Sequence, residues 1–393
     1  MEKFAQVRLQ SADVFRGIVM LLMMGEVLQF SAVSEAIPNS YFWKFISFHQ
    51  SHVPWVGCSL HDLIQPSFTF LVGLVLPLSL LSRKKANESF SKMLLHSIWR
   101  AFILVVLGIF LRSMHGNMTY YTFEDTLSQI GLGNVFIFLL GFCTWRVQLG
   151  AFMLILFSYW LLFALYPLPI MAINFDSLNV DPAWKYNLSG FAAHWNINAN
   201  PAWAFDKWYL NLFPRESPFI GSPGGYSTIS FIPTLATMIF GLLVSQVLLR
   251  SKANSDKIRT LIIVGVGSVI VGSLLGWLGI CPVVKRIWTP SWVLYSGGFC
   301  TLIIAFLYFV IDIKQKVKWA FLFKIVGMNS IAAYVFAHTI DGFIASSFKI
   351  HLGAIFFDVF GKAYHNLFLG FCVLAIECVI LLYMYRKKIF IRI

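Results

Sequence analysis

Residues 229–249 read ISFIPTLATMIFGLLVSQVLL, twenty-one positions without a charged side chain, and the polar, basic run RSKANSDKIR follows at once at 250–259. About 20 apolar residues in a helix cross a hydrocarbon core about 30 Å thick, so this stretch predicts a membrane span that ends at a basic surface. The same pattern repeats along the chain. Apolar runs of spanning length fall near Val14–Phe30, Leu63–Leu81, Leu94–Leu111, Ile130–Phe142, Leu149–Tyr166, Ile229–Leu249, Leu261–Ile280, Trp292–Ile311, Leu322–Ile340 and Leu367–Tyr385. The expectation is therefore an all-α, polytopic transmembrane bundle of about ten spans, with 1–393 forming a single transmembrane domain. The fourth run is short and glycine-rich, and the ninth has a possible break near Gly327.

Composition agrees. Of 393 residues 58% are hydrophobic and 12% charged, where a soluble domain carries about 25% charged residues. The surplus apolar surface must face lipid. The formal charge of +13 follows from basic residues gathered between the apolar runs, which predicts anchoring at the cytoplasmic face and no nucleic-acid partner. Lys3, Arg8, Arg83, Lys84, Lys85, Lys92, Arg146, Arg250, Lys252, Lys257 and Arg259 fall on one side of the expected membrane. So do Lys314, Lys316, Lys318, Lys324, Arg386, Lys387, Lys388 and Arg392. That places both termini in the cytoplasm and suggests the inner membrane of a bacterium, with Lys285 and Arg286 the main exception. The first apolar run carries Arg16 and Glu26 and lacks a convincing cleavage site, so it reads as a helix and not as a leader.

The longest polar connection, about 167–228, is expected to be an irregular periplasmic cap with short helices. It carries Trp184, Trp195, Trp203 and Trp208 together with Asp176, Asp181, Asp206 and Glu216. The indoles could stack on sugar rings and the carboxylates could hold a protonated amine. An interfacial aromatic belt is the plainer reading. The six cysteines are scattered without CxxC spacing, which predicts neither a disulfide framework nor a zinc site.

Ionisable groups in or beside spans are the candidates for chemistry. Asp13 and Arg16 share a helix face, where Ser11 or Asp13 could cap the helix while Arg16 reaches the headgroups; Glu26 has no obvious local partner. The segment 49–70, HQSHVPWVGCSLHDLIQPSFTF, brings His49, His52, His61 and Asp62 together. A histidine there can take a proton from an attacking amine or hydroxyl while a carboxylate orients it. Metal binding by His49 and His52 is the weaker alternative. Gly327, Met328, Asn329, Ser330, Tyr334 and His338 form a third group, in which Asn329 must find hydrogen bonds from a neighbouring helix or a ligand. Gln129, Asn134 and Lys285 pose the same question.

Six segments in order resemble the heparan α-glucosaminide N-acetyltransferase family of transmembrane acyltransferases. They are SADVFRG at Ser11–Gly17, HVPWVGCSLHDLIQPSFTFLVG at His52–Gly73, TLSQIGLGNVF from Thr126, GGYSTISFIPT from Gly224, CPVVKRIWTPSWVL from Cys281 and VGMNSIAAYVFAH at Val326–His338. The resemblance implies an enzyme that takes acetyl-CoA from the cytoplasm and acetylates an acceptor on the other face, in the family the amino group of a terminal glucosamine. His52 aligns with the family's catalytic histidine. On this basis Asp62 is the expected orienter and Asn329 the donor to the thioester oxygen. Asp13, Arg16, Gln129, Lys285, Ser330 and His338 are expected around acetyl-CoA, and Trp55, Trp195 and Trp203 around the acceptor, an amino sugar or glycan; no metal is expected, and a homodimer stays open. The chain departs from the family at Val284, where Asn is common, at Ile130, where Arg is common, and around Glu26 and Val27, where an asparagine is expected. These departures bear on acceptor identity. A transporter without chemistry and an O-acetyltransferase of a periplasmic polysaccharide are the alternatives.

Overall fold

The computed structural model describes residues 9–168, 181 and 183–391; Lys3, Arg8, Asp176 and Arg392 lie outside them. In chain order the α-helices are α1 (Gln10–Met24), α2 (Phe30–Ala36), α3 (Tyr41–Gln50), α4 (Ile64–Lys85), α5 (Phe90–Ser113), α6 (Thr126–Leu140), α7 (Trp145–Ala164) and α8 (Pro201–Tyr209). They continue as α9 (Phe231–Leu249), α10 (Asn254–Trp277), α11 (Pro290–Leu307), α12 (Phe321–Met328), α13 (Ser330–Thr339), α14 (Asp341–Leu352) and α15 (His365–Arg386). Among the described residues no strand forms; Val56 and Val284 make one isolated antiparallel bridge.

Each of the ten expected runs coincides with helix, yet among the described residues seven helices are long and apolar enough to cross a membrane, or nine if two bent pairs count as one span each. The bent pairs are Gln10–Leu28 with Phe30–Ala36, at 42°, and Lys318–Met328 with Ser330–Thr339, at 71°. The second break falls at Asn329, two residues beyond Gly327. The fourth run, α6, has 15 residues, about 22 Å of helix against a core of about 30 Å, so it is shorter than a full span.

Helix starts follow local chemistry. Asp125 accepts from Leu127 N and Ser128 N at the head of α6, and Asn200 accepts from Ala202 N and Trp203 N at the head of α8 with Pro201 behind it. Each satisfies amides that a helix start leaves orphaned. Between α7 and α9 the described residues form short helices, Gly190–Trp195, α8 and Leu210–Leu212.

The backbone groups into two units, one carried by Pro54–Gly57 and Gln65–Phe306, the other by Gln10–Val53, Cys58–Ile64 and the chain from Leu307 on. In the first, α4 and α9 touch backbone to backbone. A Cβ on Gly73 would lie 1.7 Å from Met238 O, and one on Gly241 1.9 Å from Phe70 O. In the second, α1 and α12 meet in the same manner, Gly17 against Phe323 O and Gly327 against Asp13 O. Small residues let helices approach where lipid gives no hydrophobic drive to association.

Gly73→Ala and Gly241→Ala are therefore expected to abolish most of the monodisperse, detergent-solubilised protein in size-exclusion chromatography. Gly150→Ala, at a position where a Cβ meets nothing within 4 Å, is expected to be neutral or to stabilise α7 by up to about 1 kcal/mol. Equal behaviour of all three variants would contradict the close contact.

Candidate active site

Helix α3 ends at Gln50, and the chain then runs through Ser51–Leu60 into a short 3-10 turn, His61–Leu63, that leads into α4. Asp62 organises this passage. Its Oδ2 accepts from Val53 N at 3.1 Å, Ser59 N at 3.0 Å and Ser59 Oγ at 3.0 Å, while its Oδ1 lies 2.8 Å from His52 Nδ1. Asp62 is 1% exposed and the His52 side chain 37%. A carboxylate can only accept, so Nδ1 carries the hydrogen, and in the neutral ring Nε2 is the basic nitrogen. His52 and Asp62, joined on sequence grounds, are thus brought together with base geometry.

A second pair adjoins the first. The His61 ring centroid is 4.5 Å from that of His52, and His61 Nε2 is 3.1 Å from Glu26 Oε1. The partner that Glu26 lacked in the sequence is therefore His61. His49 stands apart, its Nδ1 accepting from Leu60 N at 3.2 Å. Glu26 lies on the 3-10 turn Gly25–Leu28, where the first span breaks. Gln50 closes that break, its Oε1 accepting from Phe30 N at 2.8 Å and its Nε2 donating to Gly25 O. Asp341 and His338 act electrostatically on the same cluster. Glu377, fully buried on α15, adjoins Asp341, so two carboxyl groups meet there. A lone acidic residue in the last apolar run was the signal for it.

The third sequence group has other duties. Asn329 Nδ2 donates to Ile389 O at 3.1 Å and its Oδ1 accepts from Ile391 N at 3.3 Å, so both amide atoms tie down the chain that follows α15. One of the two Nδ2 hydrogens is thereby engaged with backbone. His338 stacks on Tyr334 and bonds through Nδ1 to Tyr334 O; Ser330 opens α13 and is half-buried. Asp13 and Arg16 do pair, loosely, at 3.7 Å. The cap of α1, however, comes from Asp312, whose two oxygens accept from Gln10 N and Ser11 N at 3.1 Å each. Sequence reasoning missed Asp312 because some 300 residues separate cap and helix.

Gln129, Lys285, Trp55, Trp195 and Trp203 belong to the first unit. Gln129 Oε1 accepts from Thr234 Oγ1 at 2.8 Å and from Gln65 Nε2 at 3.4 Å, joining α6, α9 and α4. Lys285 is buried. Trp55 and Trp195 are fully buried in a cluster with Tyr159, Phe163 and Ile287, and Trp55 Nε1 donates to Trp195 O at 3.1 Å. Both rings are enclosed by this packing. Trp203 donates to Ile220 O and carries Lys207 over its ring. Trp208 is the exposed indole of α8. Asp206 accepts from Thr228 N at 2.9 Å and is buried, so it anchors the start of α9 and is not a free loop carboxylate. Among the described residues no three His, Cys, Asp or Glu side chains gather in a way that could hold a metal ion.

Asp62→Ala takes the acceptor from the buried Val53 and Ser59 amides, each worth about 1–3 kcal/mol when left without one, whereas His52→Ala removes one donor, to Asp62 Oδ1. A larger fall in the thermal midpoint is expected for the first than for the second; equal shifts would contradict this division of labour. Burial pushes the Asp206 carboxyl up to about 7 from 3.8, against the pull of the Thr228 amide. Between about pH 4 and 7 the folded chain then holds a proton that the unfolded chain has lost. This contribution is full below about pH 4 and is lost as pH rises to about 7. Asp206→Asn is expected to gain thermal stability relative to wild type at pH 8 compared with pH 5, and an equal difference at both would overturn the assignment.

No family model matches the chain. The heparan-alpha-glucosaminide N-acetyltransferase of Mus musculus is 22% identical over 385 residues, covering 87% of this chain and 55% of the mouse protein. The Homo sapiens protein of the same name is 24% identical over 386 residues, covering 87% of this chain and 54% of its own length. The chain spans about half the length of the curated relatives it matches. Together with the apolar helices, the likeness supports a multi-pass membrane protein distantly related to these transferases at the level of the family.

Proposed function

We propose that this chain is a transmembrane acetyltransferase that moves an acetyl group from cytoplasmic acetyl-CoA to an amino sugar or glycan acceptor on the other, periplasmic face. The observation that carries the reading is the bond between His52 Nδ1 and Asp62 Oδ1, 2.8 Å, which makes Nε2 the candidate base. Similarity to the two N-acetyltransferases supports the donor and the class of acceptor. The basic ends of α4 and α15 support a cytoplasmic side that attracts the nucleotide and keeps both termini with it.

In this reading the acceptor's N–H or O–H gives its proton to His52 Nε2 as its heteroatom attacks the thioester carbon. Asp62 supports the imidazolium that forms. The tetrahedral adduct then expels the sulfur, and His52 returns the proton to give the free thiol of CoA. The balance is acceptor–H plus acetyl-S-CoA giving acetyl-acceptor plus HS-CoA. The same Nε2 lone pair would serve a route through acetyl-histidine, which rapid quenching and peptide mass analysis would detect. Hydroxyl and amine acceptors need the same base.

The two bent spans also fit a solute path, since interrupted helices line binding sites in transporters. Transport would leave acetyl-CoA intact. With purified protein, labelled acetyl-CoA and an amino-sugar panel, His52→Ala is expected to lower transfer by roughly a hundredfold or more. His365→Ala, which removes a comparable pair with Asp358 at 2.7 Å, is expected to leave it near normal. Near-normal transfer by His52→Ala protein would sink the proposal, as would wild-type protein that binds sugars and never releases CoA.

A further inference from the structure

The basic end of α4 and the first turns of α5 enclose, with α6, a polar cleft that the site around His52 does not use. Its volume is about 50 Å³, room for a few waters at about 10–15 Å³ apiece or for a group of similar bulk such as a phosphate. Arg83, His96 and Arg100 line it together with Ser79, Ser97 and Asn134. Leu80, Met93 and Phe138, which pack on one another, make its apolar wall. Asn134 is already settled, its Nδ2 donating to Ser97 O and Ser97 Oγ at 2.9 Å each, so α5 and α6 meet there without the help of a ligand. Arg83 stands in the last turn of α4, where its Nη1 donates to Glu88 Oε2 at 3.1 Å.

Charge decides what the cleft takes. Arg100 lies about 15 Å along α5 from Phe90, the helix's first residue. A guanidinium at that depth in an apolar span is costly, and the cost falls when it reaches back towards the headgroups or meets an anion. Met93, His96, Ser97 and Arg100 share one face of α5 by their spacing. Arg83 and Arg100 both act electrostatically on His96, and Glu88 is the acid that faces it. Among these groups two guanidinium charges stand against one carboxylate. The forked donors of arginine match phosphate oxygens. The rim decides what carries the phosphate. Beside His96 and Arg100, on the same helix, Leu95, Ile98, Trp99 and Phe102 are exposed, and Trp99 stacks on Phe102 at 5.7 Å. Such an apolar stripe faces acyl chains in a bilayer. A ligand with a phosphate at one end and hydrocarbon at the other satisfies both features, whereas a free nucleotide satisfies only the cleft.

We propose that the cleft between α4, α5 and α6 binds the phosphate of an anionic phospholipid, held by Arg83 and Arg100 with its acyl chains along the exposed apolar stripe of α5. Basic pockets between spans on the side of the positive loops are suited to such headgroups. The exposed Lys84, Lys85 and Lys92 add to the attraction at the same end of the hairpin. The site stands apart from the acetyl-transfer reading and holds whether or not the chain is a transferase. It gives Arg100 an anion at the depth where it stands, and it ties the α4–α5 hairpin to the leaflet on the basic side.

The test titrates the full, delipidated, detergent-solubilised chain with phosphatidylglycerol or phosphatidylcholine and follows bound lipid by native mass spectrometry. Both lipids carry a phosphate, and only the first carries net charge. Wild-type protein is expected to hold phosphatidylglycerol at least about tenfold more tightly than phosphatidylcholine. Arg83→Gln and Arg100→Gln are each expected to cut that preference several-fold, and Arg250→Gln, at an exposed basic position just after α9, to leave it intact. Wild-type protein with no preference, a preference that neither cleft variant reduces, or one that Arg250→Gln reduces equally overturns the proposal; the last outcome leaves only general surface charge. Inorganic phosphate and CoA, each added in excess over the lipid, are expected not to displace it. Displacement by either that is sensitive to the same two variants gives the cleft to a soluble phosphate and overturns the lipid assignment. If Arg100→Gln does not elute as folded protein, Arg83→Gln decides alone: a reduced preference supports the site and an unchanged one overturns it.

Discussion

Lipid offers no partner to a polar group, so every stretch of chain that leaves helical geometry within the bundle must find its hydrogen bonds inside the protein. Asp62 does this for the passage between α3 and α4. With Oδ2 it gathers two amides and a hydroxyl, and with Oδ1 it holds the ring of His52. One buried carboxylate therefore fixes the loop, the tautomer and the orientation of the ring together. The shape of the passage and the reactivity of the histidine are not separable properties.

The same constraint explains where the other polar residues lie. The break in the first span is closed by Gln50 and the break at Asn329 by its own amide, while Asp312 caps α1. Around these points glycines let backbones touch, as at Gly327 against Asp13 O and Gly370 against Val27 O. The latter contact presses α15 onto the turn that carries Glu26. Close packing thus surrounds an interrupted helix, and the ionisable side chains cluster beside the interruption, where backbone and side chains can be satisfied together.

Much of this was legible in the sequence. Spanning runs are long enough to be read from hydropathy alone, and His52 and Asp62 are ten positions apart on a stretch dense in polar residues. The resemblance supplied the order of motifs. Other features were hidden for physical reasons. Glu26 and His61 are 35 positions apart and meet only after a helix breaks; Asp312 reaches α1 across most of the chain. An amide in an apolar run must bond to something, and sequence does not say that Asn329 ties down backbone after α15. Trp55 and Trp195 carry the right ring for a sugar, yet their burial depends on the fold of the first unit. α6 has the composition of a span without the length of one.

A transferase that works across a membrane should show its sidedness directly. Purified chain reconstituted in sealed vesicles, with labelled acetyl-CoA on the side of the basic loops and an impermeant amino sugar only on the other, tests this account most closely. The account predicts labelled N-acetylated sugar in the acceptor compartment and free CoA in the donor compartment, both absent with His52→Ala protein. Labelled sugar that forms only when donor and acceptor share a compartment, or CoA release that persists without His52, would contradict it.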